Sequence, residues 1–320
     1  MSPAPAQSRV AMLDAMLRIR AYEEKLASIA GPHHPGTCAA VGQEACAVGV
    51  MTTLEPRDRI LTNHRSAAHL LARGASPTRM MAEVLGRADG YCRGRSGSLH
   101  ISVKELGVVL TSAIAGGELG MVTGVALAQK LGYGVPGGIV AVFFGDGAAC
   151  EGIFHESLNL ASVWDLPVLY VCENNQWQAD VHRSETMRTE HISTWAQKFD
   201  MPAVIVDGND VEAVHAAARE AVAHVRRTSR PFFIELQTYR VRGHVEPEEP
   251  VFMDTSELQH WERRDPITTM IDRLLKDGAT DQAAIAAIQS RAAAEMNTAL
   301  LSAQASPWPS PAEVASDVYA

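Results

Sequence analysis

The chain has 320 residues, 47% hydrophobic and 20% charged, and a formal net charge of −9. That is enough apolar material for one large core or two small ones, and the acidic balance argues against general nucleic-acid binding. No apolar run reaches the length of a membrane span, the opening MSPAPAQSR lacks the apolar stretch of a signal peptide, and five cysteines show no C-x-x-C spacing, so a cytoplasmic protein with reduced, mostly packed thiols is expected.

In chain order, residues 1–8 are expected to be disordered, and 9–30 carry an amphipathic helical pattern. Residues 31–36, with two prolines and His33-His34, read as a solvated loop, because no further metal-type ligands cluster beside the histidines. Residues 39–54 read as a helix, 57–62 as a short strand and 67–73 as another helix. From 87 to 110 the density of Gly, Ser and Arg predicts an extended functional loop. Residues 116–128, with Gly117, Gly120, Gly124 and Ala126, form a small-residue helix suited equally to its own core or to another subunit. Strands follow at 139–144, 166–172, 204–206 and 232–236. A Pro- and Glu-rich loop covers 243–253, and 256–305 is mainly helical. With no repeat and no clear linker, residues 9–320 read as one α/β domain whose core sheet, mostly parallel, spans about 57–240.

The most informative stretch is Gly145-Asp146-Gly147, followed by Asn174-Asn175. A buried strand precedes Gly145, a helical pattern follows Gly147, and a second buried strand ends at the asparagines. Strand, helix, strand is one parallel crossover, so Asp146 and Asn175 emerge together at the carboxyl edge of the sheet, where open parallel sheets bind ligands. A nicotinamide glycine fingerprint is the rival reading, but its third glycine position is Cys150, and a carboxylate between the glycines would face the pyrophosphate. A divalent metal resolves the conflict: Asp146 and an amide oxygen coordinate magnesium, which coordinates phosphate oxygens. Glycines let the backbone approach the phosphates, and a helix amino terminus adds a favourable dipole. Cys150 lies nearest this site and is expected to be packed, not reactive.

The pair resembles the thiamine diphosphate motif, which opens with GDG and closes with NN; here Asn175 falls 29 residues after Asp146. The wider wording, FFGDGAACEGIFHESLNLASVWDLPVLYVCENN, is similar to the alpha subunit of the heterotetrameric 2-oxo acid and acetoin dehydrogenases. So are MLRIRAYEEKL, GQEACAVGV, NHR, GRSGSLH, MPAVIVDGNDVEAV, TYRVRGH, WERRDPI and the final DVYA, which together cover nearly the whole chain. The resemblance implies the thiamine diphosphate-binding fold, with a helical extension at each end and a sheet flanked by helices. It implies metal binding by Asp146, Asn175 and the backbone carbonyl of Trp177. Gly145, Gly147 and Ala148 would approach the diphosphate through their backbone. Arg65 would pair with its oxygens, for which a guanidinium is well shaped. The backbone at Ala113 and Ala115 would support the aminopyrimidine ring. His64 and His244 would stand near the reacting centre, with Arg240 and Arg242 adding positive charge.

The chain departs from that pattern in three places. Ala67 stands where the family often has a histidine. Ala113 stands where a glycine is common, so its methyl restricts the backbone and tightens the pocket. Val245-Glu246-Pro247-Glu248-Glu249 follows His244 in place of a serine- and aspartate-containing loop, and three carboxylates at the mouth would disfavour an anionic substrate. The glutamate that activates the aminopyrimidine belongs, in this family, to a beta subunit, so an α2β2 heterotetramer is implied, inactive as alpha alone. A lipoyl-bearing transacylase is the implied acyl acceptor. Short length and NHR lean towards acetoin as the carbonyl substrate, ahead of pyruvate or a branched-chain 2-oxo acid. A lipoyl-independent, split transketolase-like carboligase and a non-catalytic assembly subunit are the alternatives; the presence of Asp146 and Asn175 argues against the second.

Overall fold

The computed structural model describes residues 6–31, 36–249, 253–313 and 315–316. Helix α1 (Ala6–Ala27) starts three residues before the periodicity predicted, so residues 6–8 are helical; residues 1–5 and the His33-His34 pair lie outside the described residues. Helix α2 (Glu44–Met51) is shorter than the 39–54 expected. Gly42 has φ +86, a left-handed conformation that residues with a side chain rarely adopt, and it breaks the helix so that 39–43 run as a turn. Strand β1 (Arg59–Asn63), helix α3 (Ala67–Ala72) and helix α4 (Pro77–Val84) follow. α4 lies between the predicted 67–73 helix and the 87–110 loop, where no element is expected, although Ser76 followed by Pro77 is a start signal: the Ser76 side chain accepts a hydrogen bond from the Arg79 amide.

The 87–110 loop is irregular until β2 (Val108–Ser112). It is not loose. The buried Glu83 carboxylate accepts hydrogen bonds from the backbone amides of Cys92, Gly94 and Ser96 at 2.7, 3.0 and 2.7 Å. Helix α5 (Gly117–Lys130), strand β3 (Val140–Gly145), the short helix α6 (Asp146–Ala149), helix α7 (Gly152–Val163) and strand β4 (Val168–Asn174) form the expected crossover. A small hairpin of β5 (Trp177–Gln178) and β6 (Val181–His182), with helices α8 (Arg183–Thr186) and α9 (Ser193–Gln197), was not predicted. Strand β7 (Ala203–Asp207), helix α10 (Val211–Thr228) and strand β8 (Phe232–Gln237) complete the core. The helical end comprises α11 (Thr255–Glu262), α12 (Pro266–Lys276) and α13 (Gln282–Ala305). No helix among the described residues is long and apolar enough to cross a membrane.

The six strands pair in parallel in the order β2-β1-β3-β4-β8-β7. Both faces of β3 are buried, as a parallel sheet covered by helices requires. Val140, Val142 and Phe144 pack with Leu119 and Val122 of α5 and Phe154 and Leu158 of α7; Ala141 and Phe143 pack with Val50 of α2 and Val214 of α10. A separate cluster joins α1, α4, α12 and α13, so the chain's two ends close on each other. From β1 the chain moves outward to β2, then returns to β3 and continues the other way. The order therefore reverses between β1 and β3, and a crevice opens at the carboxyl ends of those two strands.

Candidate active site

That crevice holds a cavity of about 470 Å³. Three strand ends build its floor: Asn63 ends β1 and His64 and Arg65 follow it, Gly145 ends β3 and Asp146 follows it, and Glu173 lies near the end of β4, with Asn175 just beyond it. The loop after β8 brings Arg240 and His244 over one side, and the β2–α5 turn brings Ser112–Ala115 and Glu118 to the other. The residues predicted to hold metal, cofactor or the reacting centre line this one cavity: His64, Arg65, Ala113, Ala115, Gly145, Asp146, Gly147, Ala148, Asn175, Trp177 and His244.

Asp146 is buried, and its Oδ2 has no hydrogen-bond partner among the described residues. Burial pushes its pKa from 3.8 up to about 6, against the pull of its own backbone amide, of the Arg183 and Arg240 charges and of a hydrogen bond from the Gln178 side chain to the carboxylate. An ionised oxygen left unpaired in this way is what a cation offsets. Asn175 is held beside it: its Nδ2 donates to Gln43 Oε1 at 3.2 Å, and its Oδ1 accepts from the Trp177 amide at 3.1 Å.

Two guanidinium groups lie in the same wall. Arg65 is buried; its Nη1 donates to the Ala39 carbonyl at 2.5 Å, and its amide donates to Asn63 Oδ1 at 2.8 Å. Arg240 donates from Nη2 to the Ala179 carbonyl at 2.6 Å and from Nε to the Arg242 carbonyl at 3.2 Å. Burial, then the neighbouring Arg65 charge, lowers the Arg240 pKa to about 10, against the opposing pull of Asp180 and Asp146. Arg242 does not join them. It points away, paired with Glu24 and, at 2.9 Å, with Glu246.

The two histidines meet edge to face, 5.5 Å between ring centres. Arg240 Nη1 lies 3.1 Å from His244 Nδ1. A guanidinium only donates, so Nδ1 is the acceptor and Nε2 carries the His244 proton. Burial, reinforced by Arg65, His244 and Arg240, drives the His64 pKa down to about 3; burial and the same two arginines lower that of His244. Both rings are thus neutral near pH 7. Cys38 Sγ and a nitrogen of each ring lie within 4.8 Å of one another, the composition of a soft-metal site. The Arg240 hydrogen bond occupies the His244 lone pair, however, and two cations face the group.

Some lining residues carried no signal in the sequence. Glu173 accepts from His69 Nε2 at 3.0 Å, while His69 Nδ1 pairs with Thr62 Oγ1 at 2.8 Å, a buried relay that fixes the floor beneath Asn63. Cys38 and Glu118 also line the cavity. Cys150, expected to be packed, is exposed; its sulfur lies 3.8 Å from Gln178 Oε1, because α6 ends there and turns its last side chain outward. Cys38, Cys46 and Cys172 are buried as free thiols.

Comparison with known proteins was then decisive at the family level. The family model described as dehydrogenase E1 component matches residues 14–312. The alpha subunit of acetoin:2,6-dichlorophenolindophenol oxidoreductase of Bacillus subtilis (strain 168) is 37% identical over 311 residues, covering 96% of this chain and 92% of that protein. The pyruvate dehydrogenase E1 component alpha subunit of Rhizobium meliloti (strain 1021) is 37% identical over 266 residues, covering 82% and 76%. The Cupriavidus necator alpha subunit of the acetoin oxidoreductase is 34% identical over 279 residues, covering 87% and 83%.

Proposed function

The chain belongs to the dehydrogenase E1 component family, and on that footing we propose that it is the alpha subunit of a thiamine diphosphate-dependent dehydrogenase that cleaves a carbon–carbon bond of acetoin. The observation that carries the reading is the unpartnered, buried Asp146 oxygen beside Asn175, in a cavity walled by Arg65 and Arg240. The residues fit the cofactor: Asp146, Asn175 and the Trp177 carbonyl would hold magnesium, and the two guanidiniums would oppose the diphosphate charge. Gly145 has open space where a side chain would begin, with its nearest neighbour atom 4.0 Å away, so the backbone is free for close approach there.

When bound, thiamine diphosphate supplies a carbon nucleophile and an electron sink. The protein's own part is positional and electrostatic. Arg240 sets the His244 tautomer, which presents Nε2–H as a proton donor. His64, kept neutral by burial and then by its cationic neighbours, offers an uncharged ring beside His244. The Ala113–Ala115 backbone supports the ring end of the cavity.

An exposed apolar face supports the need for a beta subunit. Ile114 is 69% exposed beside the cavity, and Met121, Leu131, Val163 and Trp164 continue the exposed face across α5 and α7. Such a surface on one face marks an interface. A beta chain there, in an α2β2 assembly, would close the cavity and contribute the missing glutamate, and a lipoyl-bearing transacylase would take the acyl group. Acetoin is favoured over pyruvate because the Glu248 charge acts on the cavity residues Cys38 and His244, where a carboxylate discourages an anion, whereas Glu246 is paired with Arg242. The near full-length match to an acetoin enzyme agrees.

The test is to co-express the chain with its beta partner and follow reduction of an artificial electron acceptor with thiamine diphosphate, magnesium and either acetoin or pyruvate. Faster turnover of acetoin is expected. A clear preference for pyruvate overturns the substrate assignment, and silence with both, in a complex shown to hold the cofactor, overturns the reaction.

A further inference from the structure

One carboxyl group in the cavity wall is used by none of this chemistry. Glu118, in the first turn of α5, is 1% exposed yet lines the cavity beside Ser112, Ala113, Ile114 and Ala115. Its Oε2 has no hydrogen-bond partner among the described residues. A buried oxygen without a donor is costly unless it carries its own proton or meets a ligand.

Its surroundings favour the proton. Burial pushes the Glu118 pKa from 4.5 up to about 8, and its own backbone amide is the one group pulling the other way. The titratable groups on the elements packed against α5 are His155 and Glu156 of α7, Arg59 of β1, and Tyr170, Cys172 and Glu173 of β4. The cavity adds Asp146, Glu151, His64, His244, Arg65 and Arg240. None of these charges drives the shift; burial does. The diphosphate-type groups, Asp146, Asn175 and Arg240, follow β3, β4 and β8, whereas Glu118 stands with the β2–α5 turn.

We propose that Glu118 is a recognition acid, whose neutral carboxyl donates a hydrogen bond to an uncharged acceptor atom of the molecule filling the α5 end of the cavity. The inference rests on the thiamine diphosphate reading, and the acceptor it names first is a ring nitrogen of that cofactor. A carbonyl or hydroxyl oxygen of the substrate offers the same chemistry, and the experiment separates the two sources. As a protonated acid Glu118 can donate where an ionised carboxylate only accepts. Recognition should therefore be strong below its pKa and fade above it.

The test uses the assembled complex with the beta subunit. Thiamine diphosphate affinity is measured calorimetrically at saturating magnesium from pH 6.5 to 9.5, for the native chain, Glu118→Gln and Glu118→Met. Native affinity should fall about tenfold as pH rises through 8. Glu118→Gln keeps a donor that cannot ionise, so it should hold the native low-pH affinity with no step. Glu118→Met has no donor and should bind about tenfold more weakly at every pH, again without a step. If cofactor affinity is indifferent to all three side chains but the substrate KM shows this pattern, the acceptor is the substrate oxygen and the recognition role stands. If Glu118→Met matches the native chain in both measurements, the inference is overturned. If no form binds thiamine diphosphate, the cofactor reading fails and takes this inference with it.

Discussion

Replacing Asp146 by asparagine should raise the stability of the cofactor-free protein while abolishing its response to cofactor. The carboxylate is buried, and burial has moved its pKa from 3.8 to about 6. At about 1.4 kcal/mol per tenfold of proton affinity, keeping it ionised at pH 8 costs the folded state on the order of 3 kcal/mol. The sign follows from the raised folded-state pKa. The cost is absent below the unfolded value, builds between the unfolded and the folded values, and is constant above the folded one. Asparagine removes that cost but leaves an amide where Oδ2 had no partner, so a net gain of about 1–2 kcal/mol remains, or about 2–4 °C in Tm. With magnesium and thiamine diphosphate at about one hundred times Kd, the native protein should instead gain about 2.7 kcal/mol and the variant almost nothing. The order of the two melting curves therefore inverts between cofactor-free and loaded complex, a crossing that scanning calorimetry at pH 8 reads directly. At pH 5 the cost itself falls to about half, so the variant's advantage should all but vanish. A variant that melts below the native protein without cofactor at pH 8, or an advantage independent of pH, would refute the argument from burial.

Arg65→Met should weaken thiamine diphosphate binding about a hundredfold by calorimetry, and Arg65→Lys should restore only part of it, since an ammonium cannot reproduce the planar fork. Magnesium affinity, measured in the presence of thiamine diphosphate, should fall as pH drops through about 6, because the Asp146 carboxyl must lose its proton to ligate; a flat profile from pH 5 to 8 would contradict that assignment. Gly124→Trp should leave the far-ultraviolet circular dichroism of the alpha chain unchanged, because nothing lies within 4 Å of that position, yet split the heterotetramer on size-exclusion chromatography. His64 should contribute no inflection to the kcat/KM profile between pH 5 and 9, its pKa being held near 3; an inflection in that window that disappears in His64→Asn would mean its cationic neighbours are neutralised in the working enzyme.

The parts of the site legible in the sequence are those written in short runs. The β3–α6–α7–β4 crossover follows from two apolar stretches around a glycine-rich turn, and that alone places Asp146 and Asn175 together. Arg65 and His244 came from resemblance and share the cavity with them. What stayed hidden depends on distant packing. Arg240 and Arg242 are two residues apart in one motif, yet one enters the cavity and the other pairs with Glu24 of α1, a choice no local pattern states. Glu118 reads as an ordinary first-turn glutamate until the sheet and α7 cover it. Residues 39–43 look helical by composition, and a single positive-φ glycine at 42 makes them the turn whose Ala39 carbonyl holds Arg65. Cys150 is expected to be packed rather than reactive, yet the end of a one-turn helix leaves it exposed.

The hydrogen bonds that hold the two cationic side chains also set a timetable for synthesis. Arg65 is anchored on Ala39, and Arg240 on Ala179, so one wall of the cavity joins two arginines 175 residues apart in the chain. A ribosome that has delivered the β3–α6–α7–β4 crossover has made a recognisable half-sheet but no pocket. Contacts of such long range form late, after the cost of closing the intervening chain has been met. Cofactor therefore cannot template the early folding of the nascent chain. Scarcity of thiamine should leave its synthesis and collapse untouched and instead swell the pool of complete, folded subunits awaiting their ligand.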